Sequence, residues 1–168
     1  MTHPRIEQFL FTHSEWLRGL KGIPEEDGAR HFGQMNCISW TVGHLTWHEQ
    51  RTWLERQQGL IPFPHLNELF AYRAPMSTPS FQEMLATWQK VARQSEPYLE
   101  GLSTESLQAP VIIDGKERSF TVGSTLQRIN YHYWYHIGEI QAIRQMLGHA
   151  SLPEFVGNIE SQAPYRPE

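Results

Sequence analysis

Apolar residues recur at three- and four-residue steps along four long segments of the chain, the spacing of helices with one face turned inward. The first comprises Ile6, Phe9, Leu10, His13, Trp16, Leu17 and Leu20, and is closed by Gly19 and by Gly22-Ile23-Pro24. His13 lies on its inward stripe and is read as a buried histidine with a hydrogen-bond partner. Polar, glycine-containing residues 24–37 make a loop, after which Asn36 or Ser39 is placed to cap a second helix from about Ser39 to Gln58. In that helix Trp40, His44, Trp47, Arg51 and Leu54 share one face, while Ile38, Val42, Leu45 and Thr52 share another. A helix apolar on two sides is expected to be mostly buried. Gly43 costs about 1 kcal/mol against alanine in a helix interior; its presence predicts close approach of a neighbour, or of a ligand beside His44.

Gly59 and the pair Pro62 and Pro64 stop the second helix, and residues 59–79 read as a long loop. Phe63, Leu66, Leu69, Phe70 and Tyr72 make this loop unusually apolar, so it either packs down as a lid or carries part of a partner surface. A third helix starts at Ser80 and keeps its period through Phe81, Met84, Leu85, Trp88, Val91, Ser95, Leu99 and Leu102, with a kink or short break expected at Pro97. Asp114-Gly115 between two β-prone runs, within Val111–Phe120, predicts a small hairpin or extended insert. Thr121 or Ser124 then caps a fourth helix from about Val122 to Leu147. Its apolar positions are Leu126, Ile129, Tyr133, Ile137, Ile140 and Leu147, and Gly148 is its stop. The tail from His149, with Pro153, Pro164 and Pro167, reads as irregular. These elements predict an all-α chain: a four-helix bundle with a long crossover between helices 2 and 3 and a hairpin before helix 4, in a single domain over residues 1–168.

Composition narrows the function classes. The chain is 168 residues long, 39% hydrophobic and 19% charged, enough to bury a core and too apolar for disorder. A formal charge of −4 and the lack of a basic cluster exclude the electrostatic footprint of nucleic-acid binding. No apolar run approaches the ~20 residues of a membrane span. Residues 1–7 lack the basic start and apolar core of a signal peptide, and Cys37 is the one cysteine, so a cytoplasmic, reducing address is expected. Nine histidines and six tryptophans are the compositional oddity.

The chemistry centres on Asn130-Tyr131-His132-Tyr133-Trp134-Tyr135-His136-Ile137-Gly138-Glu139. On a helix, residues four apart differ by about 40° of rotation, so His132 and His136 point the same way and can reach one metal ion. The glutamate of a His-Glu-x-x-His protease motif is missing, which removes that reading. A third ligand must come from an inward face elsewhere. His44, in Ser39-Trp40-Thr41-Val42-Gly43-His44-Leu45, qualifies, and His48 one turn further on is a second candidate. Three imidazoles with an open position make a catalytic-type site, whereas a fourth ligand closes it.

Trp40, His44 and Leu45 on the second helix, together with His132, His136 and Gly138 on the fourth, resemble the DinB-like superfamily of metalloenzymes, and the resemblance covers nearly the whole chain in helix order. It implies a four-helix bundle in which His44, His132 and His136 hold a divalent ion, commonly zinc, nickel or iron. It also implies a homodimer, since many members dimerise. Some relatives are transferases or isomerases that use bacillithiol, mycothiol or glutathione, and some form the N-terminal part of ergothioneine-synthesis enzymes. His48 falls where the pattern has no ligand.

Around such a site, Glu49 and Glu139 are candidates to accept the second N–H of a ligating imidazole, against the reading of solvated surface carboxylates. Arg51 and Arg128 are candidates for an anionic substrate or, more ordinarily, exposed arginines. Tyr131, Tyr133, Trp134 and Tyr135 read as core and interface aromatics, and Cys37 as a small buried residue. Three functions follow. The first is a transferase acting on a small molecule with a low-molecular-weight thiol as cosubstrate. The second is a hydrolase with Glu49, Glu139 or His48 as base. The third is a metal-binding structural bundle that works through a dimer surface.

Overall fold

The computed structural model describes residues 2–167. In chain order the elements are α1 (Pro4–Leu20), α2 (Glu25–Gly28), α3 (Ile38–Glu49), a π-helical stretch (Gln50–Glu55), α4 (Arg56–Gln58), α5 (His65–Leu69) and α6 (Phe81–Glu100), followed by α7 (Thr104–Gln108), β1 (Pro110–Ile113), β2 (Lys116–Thr121), α8 (Val122–Met146) and α9 (Ile159–Gln162). The protein is thus mostly helical with one two-stranded sheet. Among the described residues no helix is long and apolar enough to cross a membrane. The chain falls into two compact units, one of residues 1–21 and 98–168 and the other of Gly22–Pro97.

The first unit is built on α1 and α8. His3 caps α1 by accepting from the Arg5 N–H at 3.1 Å, and Pro4 occupies the first helical position, where its missing N–H is harmless. Thr121 caps α8, accepting from the Ser124 N–H at 3.1 Å. At the other end, the Gly148 N–H bonds the Gln145 carbonyl and the His149 N–H bonds the Arg144 carbonyl, with Gly148 at φ +77°. That paired closure needs a left-handed residue, which glycine supplies without strain. The two helices pack side by side in the same direction: Thr12 meets Asn130 at 2.6 Å, and the Arg144 guanidinium donates to the Gly19 carbonyl at 2.5 Å. Tyr133, fully buried, collects the rings of Phe9, His13 and Trp16 at centroid distances of 6.0, 5.1 and 5.6 Å. One expectation on α1 fails. Leu17 is exposed, while Phe11 and Glu15 are buried, the latter because Arg18 neutralises it at 2.8 and 2.5 Å.

The hairpin forms as expected. Ile113 pairs with Lys116 across a two-residue turn in which Asp114 and Gly115 both have positive φ, the conformation that matches strand twist. The short α7 before it was not predicted. Ser103 caps it by accepting from the Ser106 N–H, and it buries only Leu107, too small a stripe to show periodicity. The tail likewise contains one helical turn, α9, within the segment read as irregular.

In the second unit, α6 buries Phe81, Met84, Trp88, Val91 and Ser95 of the predicted stripe, with Leu85 half-buried; buried Leu99, in its last turn, falls in the first unit. It continues as helix through Pro97, so of the kink or short break expected there the break does not form. Pro97 lies in the last turn, where one lost hydrogen bond weighs less than the burial of Leu99. The start of α6 is held from outside: the Glu25 carboxylate accepts from the N–H groups of Phe81 at 2.8 Å and Gln82 at 3.0 Å. Glu25 belongs to α2, a helical turn inside the segment read as loop.

The second predicted helix is helical from Ile38 to Gln58, but its register changes at Gln50–Glu55 to π-type turns. The wider turn lets Gln50, Thr52, Trp53 and Leu54 all face inward, which a 3.6-residue period does not allow. Neither Asn36 nor Ser39 caps this helix. Cys37 is the boundary residue and makes no capping bond from its side chain, and Ser39 lies inside the helix with its hydroxyl 3.1 Å from the Cys37 sulfur. The segment 59–79 is partly ordered by α5. Leu66 and Phe70 pack down fully, whereas Leu69 and Tyr72 face outward. The Gln50 side-chain amide clamps this segment, donating to the Phe63 carbonyl at 3.1 Å and accepting from the Phe63 N–H at 2.9 Å.

Candidate metal centre

On α8 the four-residue spacing acts as the sequence predicts. The Nε2 atoms of His132 and His136 lie 3.0 Å apart. Two nitrogens each about 2.0–2.1 Å from one ion, at angles between octahedral and tetrahedral, would be separated by about 2.9–3.4 Å, so the pair fits a shared ion without rearrangement. The Nδ1 of His136 is 2.7 Å from Glu139 Oε2. A carboxylate accepts, so this contact places the proton on Nδ1 and the lone pair on Nε2, the tautomer a metal requires. Glu139 is therefore the carboxylate that orients His136, and the reading of it as a solvated surface group is set aside. His136 is buried, His132 half-buried, and Tyr133 between them points into the core.

In the second unit His44 is buried on α3. Its Nδ1 lies 2.7 Å from the Phe70 carbonyl oxygen. Because a carbonyl only accepts, Nδ1 carries the proton and Nε2 is the ring nitrogen that could coordinate an ion, as for His136. The ring stacks on Trp40 at 5.1 Å and 9°, and on Trp47 at 5.4 Å and 29°. These indoles fix its rotation about the side-chain bonds. Gly43 has the reason anticipated from sequence: a Cβ there would sit 2.5 Å from the Phe70 ring. The neighbour that demands the glycine thus also supplies the carbonyl for His44. No sequence signal marked Phe70 for this role, since a backbone carbonyl is present at every residue.

The other candidates are placed less centrally. His48 is half-buried, with its ring against Trp47 at 6.0 Å. Arg51 lies over the same indole at 5.1 Å, while Arg128 is exposed on α8. Glu49 is fully buried, so it is no surface carboxylate. Tyr131 and Tyr135 are exposed, and Trp134 is half-buried, donating from its indole to the Thr12 hydroxyl at 3.1 Å. Cys37 is buried, as expected for a small residue at a helix start.

Comparison with curated proteins returns no match. A family profile described as the DinB superfamily matches residues 8–140, a span that includes most of α1, the His44 helix and the His132–His136 pair. The chain belongs to the DinB superfamily.

Proposed function

We propose that the protein is a metal-dependent enzyme in which His44, His132 and His136 hold one divalent ion of the zinc, nickel or iron kind. The observation that carries this reading is the His132–His136 pair, with facing Nε2 atoms 3.0 Å apart and one ring committed to the coordinating tautomer by Glu139. His44 supports it through the same tautomer, set by the Phe70 carbonyl. The reading includes a four-helix bundle formed by α1, the long helical run from Ile38, α6 and α8, in a single domain that acts as a cytoplasmic homodimer.

The activity we propose is that of a transferase acting on a small electrophilic molecule with a low-molecular-weight thiol as cosubstrate, the thiol sulfur bonding to the electrophile as the leaving group departs. Bound to the three imidazoles, a divalent ion supplies stabilisation of the thiolate, whose ordinary pKa is about 8.5. The residues themselves do the positioning. Glu139 and the Phe70 carbonyl hold the imidazoles in one tautomer, and Trp40 and Trp47 keep water from the flanks of His44. A hydrolase would need a base beside the ion. Glu139 is already engaged with His136, which favours the transferase over that reading.

The test is elemental analysis of the purified protein and its variants. About one divalent ion per chain, lost in His44→Ala, His132→Ala and His136→Ala but kept in His48→Ala, supports the open three-histidine site. Wild-type protein that holds no metal even after loading with zinc, nickel or iron overturns it. Loss in His48→Ala as well indicates a closed site and the structural alternative. The transferase reading fails if metal-loaded protein produces no thiol adduct with common cellular thiols and a panel of electrophiles.

A further inference from the structure

The unit built on α1 and α8 also encloses a groove on the flank of α8 away from the histidine pair. Gln127, on its wall, lies about 180° around the helix from His136. The groove has a volume of about 950 Å³, near the upper end of the roughly 300–1,000 Å³ usual for small-molecule sites. Its roof is the C-terminal segment from α9 to Pro167. That segment is tied down where Gln8 Nε2 donates to the Ala163 carbonyl at 2.5 Å and where Arg166 pairs with Glu7. Ala163 is buried at this tie, and Ile159, Pro164 and Pro167 of the segment line the groove.

The lining has two characters. Leu107, Leu126, Ile159 and Pro164 provide apolar wall. Arg5 and Arg166 provide two guanidinium groups, the latter paired with Glu7, and among the described residues Glu160 is the one acidic side chain lining the groove. Among the described residues no side chain accepts from the Arg5 guanidinium, and the Arg166 Nε is a buried donor with no acceptor. A buried donor left unsatisfied is costly, and a guanidinium fork is shaped for a carboxylate. Gly123 and Ser124 place the positive end of the α8 dipole at the same groove.

We propose that this groove binds a small amphipathic carboxylate, its head on Arg5 and Arg166 and its aliphatic or aromatic body along Leu107 and Leu126. The site is separate from the histidine pair and does not depend on the metal reading. Isothermal titration of the full-length protein with octanoate and 3-phenylpropionate, beside their neutral amides octanamide and 3-phenylpropionamide, tests it. The expected result is saturable binding of the acids, weakened about tenfold in Arg5→Gln and in Arg166→Gln, with the amides bound far more weakly and the metal content unchanged. Arg5 is exposed and among the described residues makes no bond through its side chain, so Arg5→Gln leaves the fold intact. The absence of saturable binding, equal binding of acids and amides, or wild-type affinity in both variants overturns the proposal.

Discussion

Replacing Gly43 by alanine sets two opposing effects against each other, and the structure decides the sign. In a helix interior, glycine-to-alanine gains about 1 kcal/mol from reduced backbone entropy in the unfolded chain. At Gly43, however, the added Cβ would lie 2.5, 2.6 and 2.8 Å from three atoms of the Phe70 ring. Phe70 is 1% exposed, so the ring cannot swing outward to yield. Overpacking of this kind costs about 1–3 kcal/mol, and contacts this short belong at the upper end. The net expectation is a loss of about 1–2 kcal/mol, or roughly 2–8 °C in melting temperature for a chain of this size. Gly138→Ala is the matched control. Gly138 is exposed on α8 with nothing within 4 Å of an added Cβ, so the same chemical change should stabilise by about 0.5–1 kcal/mol. Thermal and urea unfolding of the two variants, measured without metal, give the comparison. A Gly43→Ala protein as stable as wild type, or more so, would refute the packing argument. Because Phe70 also holds His44, Gly43→Ala should weaken metal binding by more than Gly138→Ala does.

Glu139→Gln removes the charge that orients His136 and should weaken metal affinity about 10–100-fold, read by competition with a chromogenic chelator, while leaving the metal-free melting temperature near wild type. Gln50→Ala strips both partners from the Phe63 backbone and should destabilise by about 2–4 kcal/mol; limited proteolysis should then cut first within 59–79. The Glu25 carboxyl is held below its ordinary value, first by the Gln82 N–H and also by the Phe81 N–H. Its contribution is therefore fully present above the unfolded value of 4.5 and lost as pH falls through the lower folded value. In Glu25→Gln the part of the acid-side fall in urea midpoint that wild type shows below pH 4.5 should diminish, and an unchanged pH profile would exclude Glu25 as a cap on α6.

Much of this protein is decided within a few residues of each position and so is legible without the fold. The stripes on α1, α6 and α8 are consequences of helical period; Thr121 and Gly148 end α8 through contacts three to five residues away; Asp114-Gly115 makes its turn from its own two dihedrals. The His132–His136 pair belongs to the same class, since four residues of helix bring the two nitrogens to 3.0 Å whatever surrounds them, and Glu139 reaches His136 from one turn on. His44 is different. Its place on an inward face could be read from α3, but its choice over His48 as a ligand rested on family resemblance. What holds it was invisible: the Phe70 carbonyl lies 26 residues away, and a carbonyl has no side-chain signature. The π-type register at Gln50, the burial of Glu49 and the unbroken passage of α6 through Pro97 also escaped local reading. In each, burying side chains against distant partners outweighs the local preference. Local chemistry sets the helices and one edge of the centre; only the tertiary fold brings Phe70 onto Gly43 and so determines how His44 is held.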